Sequence, residues 1–90
     1  MLTKKQKQNI IAKFAVKKND TGSPQVQIAI LTAEVAELTG HLKMHKKDFS
    51  SRRGLLKKVG QRRRLLRYLK KEDEKGYNKL IKSLKLKDNI

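Results

Sequence analysis

Apolar residues in this chain recur at intervals of three and four, and the recurrence restarts four times. In segment 3–16, Ile10, Ile11 and Phe14 fall on one side with lysines and glutamines elsewhere, which predicts a short amphipathic helix of marginal stability on its own. Segment 17–23 reads as a loop in which Asn19, Asp20, Thr21 and Gly22 supply turn chemistry. Ser23 suits a helix cap, and Pro24 suits the first turn that follows. From 24 to about 45, Ile28, Leu31, Val35, Leu38 and Leu42 alternate by threes and fours, the seam of a helix packed lengthwise on another. A second long helix, from about 50 to 72, carries Leu55, Val59, Leu66 and Leu69 on one stripe. Arg62 falls where that stripe expects an apolar residue, with an aliphatic stem able to snorkel over the core edge. Lys46-Lys47-Asp48-Phe49 is a short connection, so the two long helices should fold back as an antiparallel hairpin of roughly 30 Å. After a break at Lys75-Gly76, Tyr77, Leu80, Ile81 and Leu84 mark a short closing helix, and the last few residues should fray. The expected fold is all-α, a single domain over residues 1–90. Its long antiparallel helical hairpin, the second and third helices, is flanked by a short N-terminal and a short C-terminal helix.

Composition narrows the picture. At 37% hydrophobic and 36% charged, the 90 residues hold apolar material for one thin helical core but not for a second domain. The absence of cysteine removes disulfides, Cys-ligated zinc and iron–sulfur clusters, which fits a reducing interior and a cytoplasmic location. Residues 1–9 are too polar for a signal peptide, and no run reaches the roughly 20 apolar residues of a membrane span. The formal charge of +16 changes the reading most, because self-repulsion of that size in a small domain calls for a polyanionic partner. Nucleic acid fits better than a membrane surface. These basic residues interrupt several helices whose apolar faces are needed for one another, and an interfacial helix keeps one broad apolar face.

The third predicted helix concentrates that charge in Arg52, Arg53, Lys57, Lys58, Arg62, Arg63, Arg64, Arg67, Lys70 and Lys71, with almost no acidic relief. Charge runs are usually solvated faces stabilised by i,i+4 carboxylates; this one lacks them, which favours contact with phosphates on more than one strand. Chemistry of other kinds is poorly supported. His41, His45 and Asp48 have a spacing that superficially resembles a metal site, but Lys43, Lys46 and Lys47 crowd it and no general-base Glu sits between the histidines. No Gly-rich phosphate loop, paired carboxylates or roomy pocket is legible, so the chain reads as a non-enzyme without cofactor or metal.

Several stretches carry a family resemblance: Asp20-Thr21-Gly22-Ser23, Val26-Gln27, residues 42–48, Ser51-Arg52-Arg53-Gly54-Leu55-Leu56, and Val59-Gly60-Gln61-Arg62-Arg63-Arg64-Leu65-Leu66-Arg67-Tyr68-Leu69. They resemble the bacterial small-subunit ribosomal protein fifteen family in length and spacing, from the first helix nearly to the end. The resemblance implies a structural constituent of the small ribosomal subunit and an early binder in its assembly. Such a protein grips the central domain of the 16S rRNA at a three-helix junction and at an adjacent helix groove. It also implies neighbouring small-subunit ribosomal proteins as partners, contact with the large-subunit 23S rRNA at an intersubunit bridge, no membrane, and a monomer when free. At the junction the matching residues are Thr21, Gly22, Gln27 and Tyr68; at the shallow groove they are His41, Asp48 and Ser51. Arg64 joins them as a phosphate contact drawn from the basic helix.

Each residue has a physical reason and a plainer alternative. Gly22 lets backbone approach phosphate, or merely suits a turn. Thr21 and Gln27 can bond sugars and base edges, or close a local turn and face solvent. Tyr68 offers a ring and a hydroxyl, or fills the core beside Leu65 and Leu69. Asp48 accepts from a guanine amino group in the wide groove of A-form RNA, or caps a helix or pairs with Lys47. Ser51 shares the capping alternative, and His41 either donates to a 2′-hydroxyl or sits in solvent. Departures from the family pattern are Phe49-Ser50 where many members have two histidines, Pro24-Gln25 for a common Thr-Glu, and Glu34 where some members place a basic residue. Phe49 in that position can instead pack under the hairpin turn. From another functional class, an architectural DNA-binding protein remains the alternative, though no recognition helix follows a suitable turn.

Overall fold

The computed structural model describes residues 2–15 and 22–84, which form four helices and no strand. They are α1 (Lys4–Phe14), α2 (Pro24–Met44), α3 (Phe49–Glu72) and α4 (Glu74–Leu84). Each start is set by a side chain that satisfies backbone N–H groups left open by the first helical turn. At α1 the Gln6 N–H donates to Thr3 Oγ1 at 3.1 Å and the Thr3 N–H donates to Gln6 Oε1 at 2.9 Å, a reciprocal capping box. At α2 the Val26 N–H donates to Ser23 Oγ at 3.4 Å with Pro24 at the first helical position, as the sequence pattern expects. Asp48 caps α3, and Asp73 both ends α3 and opens α4.

Boundaries differ from the sequence expectation in a few places. The helix expected over 3–16 ends at Phe14 with Ala15 extended behind it; Val16, and the loop expected over 17–23 apart from Gly22 and Ser23, lie outside the described residues. The expected break at Lys75-Gly76 lies instead at Asp73. Its carboxylate Oδ1 accepts the Gly76 N–H at 3.0 Å and its carbonyl accepts the Tyr77 N–H at 2.9 Å, so Glu74 to Gly76 wind into the first turn of α4. A Cβ on residue 76 would overlap the Asp73 carboxylate. Glycine here gives the cap room; it does not stop a helix.

The long hairpin is present: α2 and α3 pack along their length, with His45 to Asp48 as the turn. α4 packs on α3 and α2, and α1 packs on α2, so that the molecule measures 40 × 30 × 18 Å. The core lies at one end of the hairpin, where Ile28, Leu66, Leu69, Tyr77, Leu80 and Ile81 cluster and Phe14, Leu65 and Leu84 close over them. Val26 and Ala29, which the seam pattern passes over, are also buried, because α1 and α4 both cover α2. Leu31, Val35, Leu38 and Leu42 are only half-buried, as are Leu55 and Val59 across the pair. Two helices facing each other leave one flank of each seam residue open, and a third layer is needed to close it. Phe49 does not pack under the turn: it is 62% exposed, with the Arg52 guanidinium 5.8 Å from its ring centroid.

The uneven core sets an expectation for stability. Leu66→Ala should cost about 2–5 kcal/mol and Leu38→Ala less than half of whatever Leu66→Ala costs. Urea unfolding of the two variants measures both, and equal losses would mean the hairpin is equally packed throughout.

Candidate nucleic-acid interface

At the hairpin tip the structure brings together His41, Asp48 and Ser51. His41 Nε2 lies 2.8 Å from Asp48 Oδ2, the Ser51 hydroxyl donates to the same oxygen at 2.7 Å, and the Ser51 N–H donates to Oδ1 at 3.1 Å. The capping role is therefore present. It leaves one acceptor position, on Oδ1, because a carboxylate offers about four lone-pair sites. The Ser51 oxygen, having donated its proton, is itself turned into an acceptor. The Ser51 hydroxyl first, then the His41 ring and the Ser51 N–H, hold the Asp48 carboxyl well below the usual carboxylate range. Arg52 Nη2 donates to the Lys46 carbonyl at 2.8 Å and ties the turn shut, while the His45 ring lies against His41 with centroids 4.6 Å apart. Among the described residues, no three His, Cys, Asp or Glu side chains converge as a metal-binding group.

The second assembly is a groove of about 610 Å3 between α2 and α3. Gln27, Ile30, Leu31 and Glu34 line it from α2, and Gln61, Arg64, Leu65 and Tyr68 from α3. Each set has the spacing i, i+3, i+4, i+7, one stripe of an α-helix, so two antiparallel stripes face each other across the groove. Tyr68 is 55% exposed and is not core filler; Tyr77 is the tyrosine that the core encloses. Gln27 Nε2 donates to the Gly22 carbonyl at 2.7 Å and so joins those two predicted residues. Gly22 is exposed, and a Cβ there would meet nothing within 4 Å among the described residues. Thr21 lies outside the described residues. Glu34 and Gln61 escaped the sequence reading as site residues; their signal was the i+7 spacing from Gln27 and to Tyr68.

The basic residues of α3 separate into two groups. Lys58 donates to Glu34 Oε2 at 3.2 Å, Arg52 holds the turn, the Lys70 ammonium sits 5.4 Å from the Tyr77 ring centroid, and Arg62 is half-buried. Burial, with the Arg63 charge beside it, pushes the Arg62 guanidinium down. These four serve the fold. Arg53, Lys57, Arg63, Arg64, Arg67 and Lys71 are exposed and make up the outward field. No helix among the described residues is long and apolar enough to cross a membrane.

The family model described as ribosomal protein S15 matches residues 7–87. The small ribosomal subunit protein uS15 of Campylobacter lari is 63% identical over 82 residues, 91% of each chain. Its counterparts in Campylobacter curvus and Campylobacter jejuni subsp. jejuni are 66% and 65% identical over the same length and coverage.

A carboxyl whose pKa is depressed by folding stabilises the fold fully above its unfolded value of about 3.9 and loses that contribution as pH falls through the lower folded value. Asp48 should therefore stay ionised in acid below the usual carboxylate range. A carboxyl-carbon NMR titration reads this directly; if Asp48 titrates in the usual carboxylate range, the His41–Asp48–Ser51 contacts do not persist in solution.

Proposed function

The chain belongs to the ribosomal protein S15 family, structural constituents of the small ribosomal subunit, and from that premise we propose that it grips the 16S rRNA at two places on one rigid hairpin. The groove between α2 and α3, with Gly22, Gln27, Arg64 and Tyr68, takes a three-helix junction of the central domain. The tip, with His41, Asp48 and Ser51, reads the shallow groove of an adjacent RNA helix. Thr21 joins the junction contacts by its place beside Gly22 in sequence.

The observation that carries this reading is the clustering. Residues of both long helices and the turn between them meet in two assemblies, the groove and the tip, at separate places on the same hairpin. Gln27 and His41 lie 14 positions apart on α2, which at 1.5 Å per residue is about 21 Å along its axis. Exposed cations on α3 supply sequence-independent affinity, and the two assemblies choose the site. At the tip, the Ser51 oxygen and the open position on Asp48 Oδ1 suit a guanine amino group, the donor that the wide groove of A-form RNA displays. Binding of this kind gives the protein its part in subunit assembly, beside neighbouring small-subunit proteins. The tip is also the part of the hairpin that reaches toward the 23S rRNA in an intersubunit bridge, where Phe49 and Ser50 stand in place of histidines.

The test is binding of a central-domain junction fragment against a junction-scrambled RNA of equal length and a DNA duplex, across a salt series. The expected result is a preference for the intact junction that survives rising salt. Equal affinities that collapse together would reduce the chain to a general polyanion binder. Within the same assay, Arg64→Ala should weaken all RNAs alike and reduce the salt slope by about 1. Asp48→Ala should instead lower discrimination between the intact groove site and a variant lacking its guanine amino group. Unchanged selectivity would leave Asp48 as a helix cap alone.

A further inference from the structure

Among the described residues one charged side chain is buried, and in a chain of net charge +16 it is an acid: Glu34, 7% exposed. It lines the groove that holds Gln27, Arg64 and Tyr68. A buried ion pair is a weak device for stability alone, because apolar residues of similar volume commonly replace one at little or no loss. Lys58, 24 residues further along the chain, reaches across from α3 and occupies Oε2 at 3.2 Å, leaving Oε1 as the remaining acceptor. A carboxylate at that depth repels phosphate, whereas Arg64, exposed on the same groove, attracts it. Ile30, Leu31 and Leu65 with the Tyr68 ring give apolar walls suited to the faces of a base.

Resting on the RNA-binding reading above, we propose that the groove takes one unstacked nucleotide of the bound RNA base-first. Glu34, held by Lys58, accepts a hydrogen bond from the exocyclic amino group of that base. The groove thereby selects adenine, cytosine or guanine over uracil, and Arg64 meets the phosphate left at the mouth. Glu34 is a specificity residue in this arrangement, and Lys58 a positioning residue.

The first arm of the test leaves the protein unaltered. In the junction RNA, each unpaired nucleotide in turn loses its amino group, with inosine for guanosine, purine riboside for adenosine and pyrimidin-2-one riboside for cytidine. One position should weaken binding about 10- to 100-fold and the others little. The second arm uses Glu34→Leu combined with Lys58→Met, which removes one charge of each sign and leaves the net charge unchanged. This variant, matched to the parent in helicity by circular dichroism, should bind the unmodified RNA more weakly by the same factor. It should lose its dependence on that nucleotide and keep the parent's salt slope.

Three outcomes overturn the proposal: no amino group matters to the unaltered protein, the double variant retains the dependence, or it weakens only with a flatter salt slope, which would make Lys58 a phosphate contact. Failure of the broader reading looks different, since the unaltered protein would then bind scrambled and intact junctions alike.

Discussion

Mutual repulsion among 24 lysines and arginines, set against 8 aspartates and glutamates, is the constraint around which this molecule is built. Three of those acids occupy joints. Asp48 closes the hairpin turn, Glu34 clips the two long helices together along their length, and Asp73 makes the corner between α3 and α4. Cations near these joints are drawn into the fold: Lys58 meets Glu34, Arg52 meets a backbone carbonyl, and Lys70 lies against an aromatic ring. Outward on α3 remain Arg53, Lys57, Arg63, Arg64, Arg67 and Lys71, a set of exposed cations suited to a polyanion.

The helices were legible in the sequence because apolar spacing at three and four is a local signal, and the hairpin was legible because its connection is short. Core depth was not. Leu38 and Leu42 follow the same periodicity as Ile28, but burial depends on whether a third layer arrives, and that is decided by where α1 and α4 dock. The break before α4 was misplaced because glycine is the usual punctuation. Here the capping aspartate three residues earlier ends one helix and begins the next.

His41, Asp48 and Ser51, singled out by the family resemblance, come together because they fall within one turn and its flanks. Half of the groove was hidden. Gln61 resembles any solvated glutamine until α2 is laid against α3, and Glu34 is paired with a residue on another helix. Polar residues on a helix surface carry no label that separates a groove wall from a wet face. Only the stripe on the opposing helix distinguishes them, and it comes from tertiary packing.

Gly22 illustrates a wider separation between what holds this protein together and what it is for. None of the described residues occupies the space beside its Cα. A methyl group placed there would meet none of the described residues and would, on the proposed reading, obstruct only what docks against it. A variant library scored by expression or melting temperature would pass such changes without comment. On the proposed reading, tolerance measured on the isolated protein would misjudge this position, because the constraint on it would come from the other side of the interface.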